Sequence, residues 1–319
     1  MRSERYINIQ MYLLDCHIIA YNMLKITCFG EVLWDVFPTH KKIGGAPLNV
    51  AVRLQSFGND VAMISAVGND KKGENLIDFL KDGGVNAELI QVNTEYKTGK
   101  VKVMLNEKGS ASYDIMFPRA WDKIELQNHA IERVKESDAF VFGSLVARDE
   151  QSKETLFALI EASKYAVFDV NLRKPYYTPE LLIALLKKAD FIKFNDDELF
   201  EISRYMGSVH NSLEQNLQFV ANQIQAKSIC VTKGRHGAVL LHETKLFYNS
   251  GYQINVVDTV GAGDSFLASL ISKLLNNVNP QEAIDFACAV GALVAQSEGA
   301  NPILKIEDIG LFINPLTNK

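Results

Sequence analysis

From residue 25 onward the chain alternates short apolar runs with amphipathic stretches of helical length. No other feature restricts its fold as much. The runs at 25–29, 61–66, 139–142, 165–169, 191–194 and 228–232 are four to six residues long. They are too short for helices and carry no polar alternation, so they predict strands covered on both faces. Between them lie helical stretches at 47–57, 74–81, 153–163, 179–188 and 213–225. In the first of these, Pro47 suits the opening helical position, Val50, Leu54 and Phe57 share a face, and Gly58 ends the run. Strands that alternate with helices imply crossover units and a mostly parallel sheet, so the chain is of the α/β class. Two regions break the rhythm. Residues 32–38 and 99–117 alternate apolar with polar, with turn signals at Pro38 and at Glu107-Lys108-Gly109. The second reads as a hairpin, 100–105 against 110–116. These pieces do not fit a parallel core and predict a small β-lid, built from about 32–43 and 97–120, above one end of the sheet. No repeat or low-complexity linker divides the chain.

Composition narrows the function. Thirty-three basic against 38 acidic residues leave a formal charge of −5, which argues against a nucleic-acid partner held by a basic face. The longest uncharged runs are twelve residues, short of the roughly 20 that a spanning helix needs, so no membrane partner is expected. The four cysteines show no CxxC spacing and read as reduced thiols of a cytoplasmic protein without structural zinc. Residues 1–22 show neither helical nor strand periodicity, and Asp15 and His17 interrupt what would be a signal-peptide core. They are read as an extension upstream of Met23 in preference to a targeting or docking segment, which leaves 23–319 as the folded unit.

The richest motif is DTVGAGDSF at 258–266, followed by a helix with Phe266, Leu267, Leu270, Ile271 and Leu274 on one face. Small residues before a helix let backbone N–H groups converge where the dipole already favours negative charge. Gly261, Ala262 and Gly263 would form that anion hole. Asp264 at its mouth is placed to take a proton from an attacking hydroxyl. The bland alternative is a helix cap that uses glycine for the turn and aspartate for the dipole. The motif is not a dinucleotide fingerprint, because Phe266 stands where the third glycine would be. Nor is Thr98-Gly99-Lys100 a Walker loop, since the earlier glycine is missing.

DTVGAGD resembles the C-terminal signature of the ribokinase-like (PfkB) sugar kinases. Residues 44–51 (GGAPLNVA) are similar to that family's N-terminal signature. Gly68, Asp70 and Gly73 resemble its GxDxxG segment, and Asn195-Asp196-Asp197-Glu198 its NxxE motif. The four occur in the family's order, over about residues 24–304. The resemblance implies a three-layer α/β/α sandwich with a mostly parallel central sheet and a β-lid. It implies transfer of a phosphoryl group from ATP to a sugar hydroxyl, with Mg²⁺ and often K⁺. It makes Asp264 the catalytic base, and it places Asn195 and Glu198 on Mg²⁺, partly through water. Thr232, Lys233, Gly234 and Gly237 resemble the nucleotide-side turn. Asp258 and Val260 belong to the loop that holds a monovalent cation in the family. Lys193, two residues before Asn195, is either a phosphate contact or a solvent-facing lysine.

A sugar pocket must pair each buried hydroxyl. Asp35, the backbone at Gly44 and Gly45, Asn49, Asn171 and Arg173 are the candidate contacts. A surface pair of Asp35 with Arg173 is the bland alternative. The combination GE-x-L-x-D, GGAPxN and D-x-NLR is similar to the fructokinase branch, with 2-keto-3-deoxygluconate kinases the nearest competitor and other sugar or nucleoside kinases behind. Arg119 would bind a sugar carboxylate or a phosphate, or lie on the lid surface. Trp121 would stack on a sugar or anchor the lid. A non-catalytic sugar sensor is the reading from another class. An exposed lid edge makes a homodimer through the lid an expected assembly.

Overall fold

The structure is a computed structural model and describes residues 22–105, 111–224 and 226–315. The stretch 1–21 and the expected turn at 107–109 lie outside the described residues. The chain opens with β1 (Lys25–Phe29), β2 (Leu33–Val36), β3 (Lys41–Gly44) and α1 (Ala46–Ser56). It continues through β4 (Asp60–Gly68), α2 (Lys71–Asp82), β5 (Ile90–Asn93), β6 (Gly99–Leu105) and β7 (Ala111–Ile115). Then follow α3 (Asn128–Glu136), β8 (Ala139–Gly143), α4 (Glu150–Ala162), β9 (Ala166–Asp169), α5 (Pro179–Leu186) and β10 (Phe191–Asn195). The last part runs α6 (Asp196–Tyr205), α7 (Leu213–Ile224), β11 (Ser228–Thr232), β12 (Ala238–His242), β13 (Lys245–Asn249), α8 (Ala262–Leu275), α9 (Pro280–Ala295) and α10 (Ile306–Ile313).

Nine strands form the main sheet in the order β13-β12-β11-β10-β9-β8-β1-β4-β5. All pairings from β11 to β5 are parallel, and β12 and β13 add an antiparallel margin. Strand alternation feeds two cores. Phe29, Phe140, Phe142, Phe168, Ile192 and Phe194 face the layer of α3 to α7. Ile26, Cys28, Ala139, Val141, Phe191 and Cys230 face α1, α2, α8 and α9. The three layers expected from the family resemblance are present. The six expected core runs match strands within two residues at every end, whereas β5, β12 and β13 were not expected. The helix α2 starts three residues earlier than its apolar pattern, because the Asp70 side chain caps it by accepting the Gly73 N–H at 3.0 Å.

The small sheet runs β3-β2-β6-β7, with β2 and β6 parallel and antiparallel pairs outside them. Asp70 joins it to the body: besides capping α2, its carboxylate accepts the Thr98 hydroxyl at 2.7 Å and the Thr98 N–H at 3.0 Å, just before β6. At the other end of the hairpin, the Arg148 guanidinium pairs twice with Asp122, at 2.7 and 2.9 Å. It also donates to the Met116 carbonyl at 2.8 Å, and lies 4.0 Å over Trp121 and 4.7 Å over Tyr176. Trp121 is fully buried in this knot, so it anchors the small sheet and cannot stack on a ligand. Among the described residues no helix is long and apolar enough to cross a membrane.

Both partners of the Arg148–Asp122 pair are sealed from solvent, at 1 % and 0 % exposure. Removing one leaves a buried charge uncompensated, which costs about 3–5 kcal/mol. Arg148→Met is expected to lower the urea midpoint accordingly, and the double variant with Asp122→Leu to recover much of that loss. Equal midpoints for wild type and Arg148→Met would show that the knot does not hold the hairpin.

Candidate active site

Seven loops leave the carboxyl ends of the parallel strands: Gly30-Glu31 after β1, Asn69-Asp70 after β4, 94–98 after β5, Ser144 after β8, 170–173 after β9, Asp196 after β10 and Lys233-Gly234 after β11. Five of them carry the motifs singled out from sequence. In an open α/β sheet this is where ligands bind. The amino end of α8 points into the same region. Gly261 caps it with φ +77°, in the left-handed region, and a side chain there would run into the Ala300 backbone. The N–H groups of Gly263 and Asp264 lie in the first turn, where a helix offers them no acceptor of its own.

Directly beneath that turn sits Lys193. Strand alternation points it to the α8 side of β10, its ammonium lies close to Gly263, and it pairs with Asp169 at 2.8 Å. At 6 % exposure it is not the solvent-facing lysine of the bland alternative. Its carboxylate partners keep it protonated: burial works against the charge, and Asp169 and Glu198 outweigh burial. Asp264 is raised to about 6, mainly by loss of water and next by the like charge of Asp169. The Asn49 amide, Lys193 and Arg173 counter that rise. Asn49, expected on the sugar, spends one N–H on Asp264 Oδ2 at 2.8 Å, and its Oδ1 accepts from Asn301 at 2.9 Å.

Asp35 and Arg173 do not form a surface ion pair among the described residues. Asp35 is half-buried, and burial raises it to about 6 against the pull of Arg173 and Lys42. Gly44, across the β2–β3 ladder, lacks the Cβ that would collide with the Asp35 carboxylate. Gly45 has φ +119°, and a side chain there would strike the Glu31 carbonyl. Glu31 itself carried no role in the sequence reading. It is 3 % exposed, its Oε2 has no partner, and burial raises it to about 7. The charge of Arg173 acts on Glu31, Asp35 and Asp264 alike. The sequence signals for Glu31 were its place in the GE-x-L-x-D pattern and its position two residues after an apolar strand. Arg119 is not brought to this group. Its charge bears on Lys72 together with Lys41 and Lys100, and these lysines gather around Trp34 on the sheet face opposite Asp35.

The NxxE pair forms a capping box. Asn195 Oδ1 accepts the Glu198 N–H, and Glu198 Oε2 accepts the Asn195 N–H, both at 2.8 Å. Glu198 Oε1 also accepts the Leu172 N–H at 2.9 Å, so the same carboxylate holds the loop of Asn171 and Arg173. On the far side of α8 opens a cavity of 780 Å³ lined by Thr232, Gly234, Gly237, Ala262, Gly263 and Phe266, among others. Lys233 lies outside that lining, and its backbone N–H closes the turn onto Gly237. Asp258 accepts the Val260 N–H on Oδ1, and the Gly299 N–H and Lys42 ammonium on Oδ2. A second hollow of 610 Å³, polar and open, lies by Ile90 and Gln91 at the opposite edge of the sheet and holds none of the motif residues.

The amino end of α8, its carboxylate and the cavity beside it suit transfer of an anionic group from a molecule bound there. Comparison with known proteins agrees. The profile of the family described as pfkB family carbohydrate kinase matches residues 14–307. A probable chloroplastic fructokinase of Arabidopsis thaliana is 30 % identical over 316 residues, covering 89 % of this chain and 80 % of its own. An uncharacterized sugar kinase of Pyrococcus horikoshii, solved in complex with ATP, is 28 % identical with a TM-score of 0.76, over 86 % of this chain and 94 % of its own. A double mutant of the Vibrio cholerae fructokinase, solved with fructose, ADP and potassium ion, is 25 % identical with a TM-score of 0.78, over 92 % of this chain and 99 % of its own.

Ionising Asp264 costs the folded state more than the unfolded chain, because its folded value lies above the ordinary carboxylate range. The stability it allows is full below that ordinary range and falls as pH rises through about 6. Asp264→Asn is therefore expected to melt above wild type at pH 8, with the gap closing toward pH 4. A lower melting temperature for the variant at pH 8 would contradict this balance of charges.

Proposed function

The chain belongs to the pfkB family of carbohydrate kinases and is an ATP-dependent sugar kinase; we propose that its acceptor is fructose and its product fructose 6-phosphate. One observation carries the choice of acceptor. Glu31, Asp35 and Asp264 all converge on Arg173, so the sugar side is already rich in carboxylates. A neutral sugar brings hydroxyls that these groups can accept, whereas an acid sugar would bring one more negative charge. Arg119, a candidate contact for a sugar carboxylate or a phosphate, is not among the charges that act on Glu31, Asp35 or Asp264, and its charge acts on Lys72. The relatives named as fructokinases support the same reading.

In this reading the sugar lies between the small sheet and the β1 and β9 loops, with Asp35, Asn171, Arg173 and the backbone at Gly44 and Gly45 as its contacts. The nucleotide lies in the 780 Å³ cavity on the far side of α8. Asp264 accepts the proton of the attacking hydroxyl, whose oxygen bonds to the γ-phosphorus as the bond to ADP breaks. The N–H groups of Gly263 and Asp264 and the ammonium of Lys193 meet the charge on the transferring group. The small sheet excludes water from the pocket, which keeps ATP from being hydrolysed. Its open edges, β3 and β7, are where a second copy would pair.

The donor set suits magnesium that arrives with the nucleotide and keeps its waters. Among the described residues no three acidic, histidine or cysteine side chains are placed to hold a metal by themselves, and the Glu198 carboxylate is the oxygen-only group of the NxxE pair. Bound there, the ion would neutralise phosphate charge. A monovalent cation fits less well, because the Lys42 ammonium already sits on the Asp258 carboxylate. The described cysteines, Cys28, Cys230 and Cys288, are free and buried, as suits a reducing cytoplasm.

ADP release with ATP and Mg²⁺ across fructose, 2-keto-3-deoxygluconate, ribose and adenosine tests the acceptor. Fructose is expected to give the highest kcat/KM, and silence across the panel would favour the sugar sensor. Because the transfer needs Asp264 ionised, kcat/KM is expected to fall below about pH 6. Asp264→Ala is expected to lower kcat by about two to four orders of magnitude with fructose still bound. Near wild-type turnover in that variant would refute the base assignment.

A further inference from the structure

Asn301 lies in the C-terminal part of the chain, far in sequence from every motif, yet it is one bond removed from the reacting carboxylate. Its Nδ2 donates to Asn49 Oδ1 at 2.9 Å, and Asn49 Nδ2 donates to Asp264 Oδ2 at 2.8 Å. The polarity of this chain is forced from its far end. An ionised carboxylate has acceptors only, so Asn49 must turn its N–H₂ toward Asp264 and its carbonyl away. That carbonyl is 3 % exposed with its residue and needs a donor. Asn301 supplies it. Without that donor, the Asn49 carbonyl is buried unpaired, and only the carboxylate still distinguishes the two ends of the amide. A flip would set Oδ1 against the carboxylate, acceptor against acceptor.

The Asn301 side chain is placed by the backbone around it. The Gly299 N–H is bound to Asp258, Ala300 packs on Gly261, and the Pro302 carbonyl accepts from Arg53 at 2.9 Å. Arg53, 2 % exposed, also donates to Ser265 Oγ at 3.1 Å, inside the first turn of α8. Residues 299–302 are thus strapped along the back of the anion-binding turn. Asn301 Oδ1 is buried without a partner. The bond to Asn49 is kept although it leaves that acceptor unpaired, which a side chain serving packing alone would not require.

We propose that Asn301 is a positioning residue for the phosphoryl transfer: it fixes the Asn49 amide so that Asp264 is held as a proton acceptor aimed at the sugar hydroxyl. The inference rests on the reading of Asp264 as the base. Asp264→Ala tests that reading separately: normal turnover in that variant removes the base and the role of Asn301 with it, whereas normal turnover in the Asn301 variants alone leaves the base assignment standing.

Asn301→Leu removes the donor at nearly constant shape, and Asn301→Asp replaces it with an acceptor. Both are expected to lower kcat by about 10- to 100-fold, with the KM for ATP within about twofold of wild type. The acid limb of kcat/KM should move to higher pH, because Asn49 no longer favours the ionised Asp264. In an Asn49→Leu background, Asn301→Leu should change kcat by less than about twofold, since the relay is already cut. Asn301→Asp serves as the readout if Asn301→Leu fails to fold. An unmoved acid limb in a folded Asn301 variant would overturn the proposal, and so would additive losses in the double variant.

Discussion

Everything in the site depends on how the amino end of α8 is held. A helix end presents unpaired N–H groups and partial positive charge, but only a fixed end can aim them at one point. Here it is fixed from three sides. Gly261 turns the chain into the helix against Ala300, with no room for a side chain. The buried Lys193 lies beneath Gly263 and carries full positive charge to the same place. Arg53 reaches from α1 to both Ser265 and Pro302, tying the first turn of α8 to the strap behind it. α1, which bears Asn49 and Arg53, and α8, which bears Asp264, are thereby tied together.

This arrangement costs stability, and the cost falls where the chemistry is. Glu31, Asp35 and Asp264 are all pushed above the ordinary carboxylate range by loss of water. Asp169 adds like charge, and its Oδ2 has no partner. A chain selected only to fold would not gather four carboxylates around Arg173 and Lys193. In the proposed reading, the positive charge of the helix end and Lys193 is what lets a protein of net charge −5 receive an anionic nucleotide.

The NxxE motif shows how one residue pair can serve structure and chemistry together. As a capping box it starts α6, and through the Leu172 N–H it holds the loop that carries Asn171 and Arg173. Asp70 plays a like part at the other end of the site, capping α2 and gripping Thr98 at the root of the small sheet. The alternatives of cap and functional carboxylate, set against each other when the sequence is read, are therefore not exclusive.

The six apolar core strands with the helices between them, the helix that follows the glycine turn at 261–263 and the loops that carry the motifs were legible in the sequence, because periodicity, caps and glycine turns are local, although the helix opens at Ala262 inside that turn. The parallel class followed from the same pattern, since crossovers leave few other ways to cover short apolar strands on both faces. What the sequence could not show were pairings between distant segments. Lys193 with Asp169, Lys42 with Asp258, Arg148 with Asp122 and Asn301 with Asn49 join residues 24, 216, 26 and 252 positions apart. No periodicity marks such partners. The charge of Arg119 acts on Lys72, which likewise comes from another element. Local pattern determined which chemistry this chain can carry. Tertiary packing decided which charges meet, how far each is taken from water, and therefore which carboxylate is poised to act.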